Sequence, residues 1–486
     1  MAECDTGFLQ GVFVAKRNCI LRDCYYVPIE RVPNYKMVLR DMRVDPKWFN
    51  TKEPRPKPIF QCFQTEDDYI AFPVHYGMTT YPDPDMIVDL SRGQPLHAPT
   101  RPDPFHEKAS PGQDQFFKTT LEHFANNPVG VIIAATGTGK TANALNLIAE
   151  RGRSACVVTD RTYLGFEQWI PEAKAKIGLT DDQIGIIQGD KCEYHKPFVV
   201  AIAASLYSRD DYPEEMYSAF GTVVFDELHK FGAAEMQRIL SMFNAEVRAG
   251  QTATDKRKDG CHKIYLDHLG NGQVRATGQA LRCQLRVVDY HDHTGQKLGS
   301  THGARMTALS WNKERNEIIV REIIKMYNDG RNILVIGDDI RHLQRLEQMC
   351  WKAGVMDDRT GQFSRERYIM TKEPGEHNGQ KAIIQRMKKA RVTNDYLNWV
   401  KAHARIIFAT YGMMKEGIDI PRLDGGIDAT PRTEARQVIG RIRRPLPGKK
   451  VPLWVTIRDR SHFALERYYE ERLADCLQAN VELLHD

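Results

Sequence analysis

Ala134-Ala135-Thr136-Gly137-Thr138-Gly139-Lys140-Thr141 is the stretch on which the reading of this chain turns. An apolar run, Val129 to Ala134, leads into it. A helical pattern leaves it, with Ala142, Leu145 and Ile148 on one face and Gly152 just past the end. Strand, glycine-containing loop and helix opening at Lys140 form the context that a phosphate-cradling loop requires. Gly137 and Gly139 let backbone N–H groups turn toward phosphate oxygens, and the helix N-terminus adds its dipole. On this reading Thr136, Gly137, Thr138, Gly139, Lys140 and Thr141 bind a nucleotide, with Lys140 on the terminal phosphates and the Thr141 hydroxyl on magnesium. Ala134 stands where the general pattern has Gly. The competing reading, a fortuitous Gly-rich turn, leaves the flanking strand and helix unexplained.

Downstream, Thr222-Val223-Val224-Phe225 is an apolar strand that delivers Asp226 and Glu227 to its carboxyl end. Alone, an acidic pair after a strand is more often a helix cap. After a phosphate loop, Asp226 reads as the holder of magnesium through water, and Glu227 as the group that polarises the attacking water. His229 alone would be an ordinary histidine; inside Asp226-Glu227-Leu228-His229 it has a coupling role. Further on, the spacing of Gln437, Arg441 and Arg444 puts them on one helical stripe, with Val438, Ile439 and Ile442 on the buried side and Pro445 closing the helix. In isolation two such arginines read as a solvated surface. After a nucleotide-binding first lobe they read as arginine fingers that neutralise transition-state charge when two lobes close.

The composition sets the frame. A chain of 486 residues has room for several domains, and 42% hydrophobic with 27% charged residues is a globular balance. No internal repeat or low-complexity run interrupts it. The longest apolar stretches fall far below the ~20 residues of a membrane span. The start, Met1-Ala2-Glu3-Cys4-Asp5, lacks a basic region followed by an apolar core, so a cytoplasmic protein without a membrane partner is expected. Ten cysteines without a Cys-x-x-Cys pair read as reduced thiols. A net charge of +5 permits a phosphate-backbone partner without demanding one.

Before residue 105 the sequence is irregular and rich in Pro and aromatics, which reads as a separate accessory domain and linker, residues 1–105. Apolar runs at Ala155 to Thr159, Phe198 to Ile202, Thr222 to Phe225 and Glu246 to Ala249 then alternate with helix-length segments, giving a first α/β lobe, 106–262. A second series at Gln284 to Tyr290, Asn332 to Ile336, Arg405 to Ala409, Gly426 to Ala429 and Pro452 to Ile457 gives a second lobe, 263–462. Two doubly wound parallel-sheet lobes in tandem are the simplest architecture. The polar stretch Met356 to Ala404 is long for one connection, and a helix over Gln380 to Arg391 is expected inside it. Phe463 to Leu484 reads as a terminal amphipathic helix, residues 463–486.

With these pieces in order the chain resembles the superfamily 2 helicases and translocases over residues 110 to 460. Val157 to Trp169, with Thr159, Arg161, Leu164 and Gln168, is similar to the family's first nucleic-acid-contacting motif, and Ala201 to Leu206, with Ser205, to the next. Gly250 to Gly260, containing Thr252, Thr254 and Arg257, resembles the coupling motif of the XPB, RecG and UvsW branch, with Asp255 where that branch usually has Pro. Ala409-Thr410 through Glu416-Gly417-Ile418-Asp419-Ile420-Pro421 matches the second-lobe motif that links backbone contacts to the nucleotide, through Thr410, Gly417 and Asp419. Gln115, with Gln113 as the alternative, is placed like the family's adenine-reading glutamine.

The resemblance implies tandem RecA-like domains, ATP and magnesium as cofactors, and hydrolysis coupled to movement on nucleic acid. Asp-Glu-Leu-His and Thr-Ala-Thr speak against the dedicated RNA-unwinding branch, so duplex or branched DNA is the expected substrate, with RNA as the rival. A monomer acting in branch migration, fork reversal or unwinding of recombination intermediates, of viral or phage type, completes the expectation. A remodelling subunit with a vestigial ATPase is a further alternative, which the intact Lys140, Glu227 and Arg441 disfavour. Cys261, His262, His268, Cys283, His291, His293 and His302 crowd one region, but their spacing fits no paired-ligand zinc pattern.

Overall fold

The computed structural model describes residues 17–44, 60–102, 112–134, 138–160, 165–253, 257, 259–276, 281–295, 298–355, 360–363, 366–377, 380–415, 420–433, 436–444, 446–479 and 481–484. They form two compact units. One takes in residues 1–101, 120–133 and 144–274, the other 102–119, 134–143 and 275–486.

In the first unit six mutually parallel strands lie in the order Ile184–Gln188, Phe198–Ile202, Ala155–Thr159, Thr222–Phe225, Val247–Thr252, Val129–Ile133. Their runs of Val, Ile and Ala are buried along almost their whole length, as parallel strands covered on both faces require. The order is not the chain order. The Val129–Ile133 strand sits two places from Thr222–Phe225, with Val247–Thr252 between them, so the chain crosses over at this point of the sheet.

Residues 17–44 and 60–101 lie in the same unit as this sheet and share its core. Their five-stranded sheet, centred on Tyr25–Pro28 and Tyr69–Phe72, is joined by backbone bonds from Ser91 to Asn244 (2.7 Å) and from Glu246 to Ser91 (2.9 Å). Arg248, fully buried on the Val247–Thr252 strand, donates to the carbonyls of Arg22 and Asp23. A charged residue in a buried strand gave no sequence signal of a partner more than 200 residues away.

The second unit is built on seven parallel strands in the order Thr360–Phe363, Ile406–Thr410, Ile333–Gly337, Gly425–Asp428, Leu453–Asp459, Cys283–Tyr290, Val481–Leu483. Two expectations are corrected here. Gln380–Arg391 is not a helix but a strand, paired antiparallel with Glu366–His377 from Glu366 opposite Arg391 to His377 opposite Gln380. Good helix formers such as Gln, Lys, Ala and Arg suggested the helix, and cross-strand pairing overrides that propensity. The helix of this region is Asn394–His403, capped by the Thr393 hydroxyl. The terminal helix, in turn, stops at Gln478, and Val481–Leu483 returns as an edge strand on Cys283–Tyr290. Leu465 and Tyr469 pack inward, whereas Leu477, in the last turn, is 52% exposed.

Candidate nucleotide and coupling site

The Val129–Ile133 strand runs into the glycine loop, and the helix after it spans Lys140–Arg151. Thr136 and Gly137 fall outside the described residues, as do Arg161, Thr254, Gly417 and Asp419. At Gly139 φ is +90°, a backbone conformation that favours glycine, and the end of the Gln113 side chain lies against it. Lys140 Nζ donates to the Ala134 carbonyl (3.2 Å) and Thr138 is buried. Of the two candidate glutamines, the one beside the loop is therefore Gln113. Gln115 is exposed and donates to Thr119 within its own helix (3.1 Å). Helical phase explains the difference: two residues apart on a helix point to different sides.

In the first sheet, strand register aligns the other residues. Val158 pairs with Phe225, Phe225 with Gly250, Ile202 with Thr159, and Thr252 with Ile133, so Thr159, Asp226 and Thr252 reach the same edge. Asp226 is 6% exposed, and both its oxygens are held. Oδ2 accepts the Trp169 indole N–H at 2.9 Å; Oδ1 accepts the Gln251 amide at 2.8 Å and the Glu227 backbone N–H at 2.9 Å. Neither Trp169 nor Gln251 was singled out from the sequence. A glutamine inside a buried strand was the available signal.

Glu227 has φ +49° and ψ +51°, a left-handed conformation that costs a non-glycine residue energy and that gathers at functional turns. The turn carries Leu228 back over the strand and brings His229 Nδ1 to 3.4 Å from Glu227 Oε2 and 3.4 Å from Thr252 Oγ1. Burial pushes the His229 pKa below its ordinary value, against the pull of the Glu227 carboxylate. The residues expected to touch nucleic acid are placed variously. Ser205 is buried and accepts the Gly189 N–H (2.9 Å), and Thr159 is buried with no hydrogen-bond partner for its hydroxyl among the described residues. Arg257 pairs with Asp259 (2.6 Å) and donates to the His229 carbonyl, which ties the coupling segment to the acidic turn.

In the second unit the Arg436–Ile442 helix buries Val438, Ile439 and Ile442 as its periodicity predicts. Arg441 and Arg444 are themselves almost fully covered, at 6% and 9% exposure, so they are not a solvated surface. Burial lowers the Arg444 pKa to about 10. Lys449, lowered to about 8 by burial, donates to the Arg444 and Pro421 carbonyls. Thr410 ends the Ile406–Thr410 strand, where its hydroxyl accepts the Met413 N–H (3.4 Å). Among the described residues no group of three or more His, Cys, Asp or Glu side chains is arranged to hold a metal ion, and the nine described cysteines are free.

Known proteins resemble this chain. Residues 107–257 match the family described as "Type III restriction enzyme, res subunit". A mimivirus protein of Acanthamoeba polyphaga named "Putative ATP-dependent RNA helicase L396" is 23% identical over 442 residues, which is 87% of this chain and 78% of the relative. The "DNA 3'-5' translocase XPB2" of Sulfurisphaera tokodaii is 31% identical over 137 residues, 28% of this chain and 29% of the relative. Among solved structures, a fragment titled as a "putative HsdR subunit of a type I restriction enzyme" from Vibrio vulnificus is 16% identical, with a TM-score of 0.51 over 76% of this chain and 67% of that one, and shares the fold. The chain is thus similar to proteins named as a helicase and as a translocase, and it shares its parallel-sheet fold with the restriction-subunit fragment.

Proposed function

We propose that the chain is a DNA-dependent ATPase that advances on duplex or branched DNA. The observation that carries the catalytic part is the turn at Asp226-Glu227, where a strained backbone sets two carboxylates side by side at a sheet edge with separate partners. Lys140 and the backbone around Gly139 bind the nucleotide phosphates, and Glu227 takes the proton of the attacking water. Arg441 and Arg444 supply positive charge to the transition state. Magnesium suits the donor set at Asp226: a carboxylate whose direction is fixed by neutral N–H donors presents a defined lone pair to a hydrated cation. Thr141 would be the second holder, and the ion would neutralise charge on the phosphates.

The choice of DNA is supported by the restriction-subunit family match and by the translocase relative. The mimivirus relative's name favours a second reading, an RNA helicase on the same scaffold. ATP turnover measured with forked DNA, blunt duplex DNA and structured RNA decides between them. Stimulation by RNA alone overturns the DNA assignment. Contacts made mostly to phosphates give weak sequence preference and binding that falls steeply with salt. The domain limits 1–105, 106–262, 263–462 and 463–486, cytoplasmic action and a monomeric state belong to the same proposal.

A further inference from the structure

Two fully buried side chains donate to different oxygens of the Asp226 carboxylate, and the reading of the acidic pair uses neither. Trp169 closes the π-helical turn Gly165–Trp169, is 0% exposed, and spends its indole N–H on Oδ2 at 2.9 Å. Gln251 lies on the neighbouring strand, is 0% exposed, and reaches Oδ1 at 2.8 Å. Burial alone does not account for Gln251. Its Oε1 is buried with no hydrogen-bond partner among the described residues, a cost that leucine would avoid. The Gln251 amide group is thus kept for its donor, and the donor has one recipient.

With the Glu227 N–H on Oδ1 as well, three neutral N–H donors orient the carboxylate. Groups of this kind behind a metal-binding carboxylate tune affinity by orienting it. We propose that Trp169 and Gln251 are positioning residues that set how tightly Asp226 holds magnesium. This rests on the reading of Asp226 as the magnesium carboxylate.

The test is binding of a fluorescent ATP analogue to the full chain, titrated with magnesium chloride and compared with binding in excess chelator. Trp169→Phe keeps a buried ring and removes the N–H; Gln251→Leu keeps the bulk and removes the amide. In each, half-saturating magnesium is expected to rise about ten-fold while binding in chelator stays at the wild-type level. A structural defect would weaken both, which the split between the two conditions separates. Gln251→Leu preserves the test where the indole replacement does not fold. Asp226→Asn is measured alongside. If it keeps the wild-type magnesium dependence, the reading of Asp226 fails and the proposal with it. If it loses that dependence while both other variants match wild type, the positioning proposal alone is overturned.

Discussion

His229 Nδ1 stands 3.4 Å from Thr252 Oγ1, so the turn after the Thr222–Phe225 strand is tied to the end of the strand beside it. The same nitrogen lies 3.4 Å from Glu227 Oε2. Burial favours the neutral imidazole, so this one nitrogen lies between the acidic turn and the end of the neighbouring strand. A coupling role for His229 is tested at this juncture. His229→Ala is expected to leave unstimulated ATP turnover nearly intact and to lower the ratio of nucleic-acid-stimulated to unstimulated turnover by about five-fold or more, the span of a coupling energy. An unchanged ratio would remove His229 from the coupling path.

On the roles proposed above, Glu227→Gln keeps shape and burial but removes the base. Turnover is expected to fall by about 10²–10⁴-fold, with nucleotide binding retained. Lys140→Ala, which takes away the cation on the phosphates, is expected to lose binding and turnover together. Equilibrium binding and single-turnover hydrolysis measured on both variants distinguish the two roles.

Each unit contains a buried neutral histidine that makes the fold sensitive to acid. Burial lowers the pKa of His268 to about 3, and burial followed by the nearby Arg315 lowers His342 to about 3. The unfolded chain takes up these protons near the ordinary value of about 6.5, and the folded chain does not. The unfolded state therefore binds more protons below about pH 6.5, and stability falls as pH drops through that window. Each histidine contributes up to about 1.4 kcal/mol per pH unit. Urea midpoints at pH 7.5 and pH 5 should differ clearly in wild type and less in His268→Gln and His342→Gln. An equal difference in all three proteins refutes the assignment.

Much of the site was legible because its chemistry is local in sequence. A strand, a loop and a helix opening at Lys140 must be consecutive, and an apolar run ending in Asp226-Glu227 marks a buried strand delivering charge to an edge. What escaped depends on distance. Trp169 and Gln251 meet Asp226 only through the sheet order, which places strands side by side against their chain order. Choosing Gln113 over Gln115 required the packing of its side chain against Gly139. Gln380–Arg391 misled because its residues favour a helix in isolation, while the antiparallel pairing with Glu366–His377 makes it a strand.

Gly250 supplies a prediction in which packing and chemistry are inseparable. It pairs with Phe225, directly under the turn that carries Glu227, and an added Cβ would lie 2.6 Å from Leu228 Cδ2 and 2.8 Å from Leu269 Cδ1. Both leucines are buried in the core, Leu228 at 0% and Leu269 at 1% exposure, so neither has free space to swing into. Leu228 sits between Glu227 and His229, and Glu227 already holds a left-handed backbone. Pushing Leu228 outward must rotate that turn. Gly250→Ala is therefore expected to cost about 1–3 kcal/mol of stability, as overpacking does, and to depress turnover far beyond what that loss explains at a temperature where the variant is fully folded. Leu269→Ala, which touches the same glycine but leaves the turn alone, should lose stability and keep its turnover per folded molecule. If both variants show the same turnover per folded molecule, the close approach of Leu228 to Gly250 does not govern the position of Glu227.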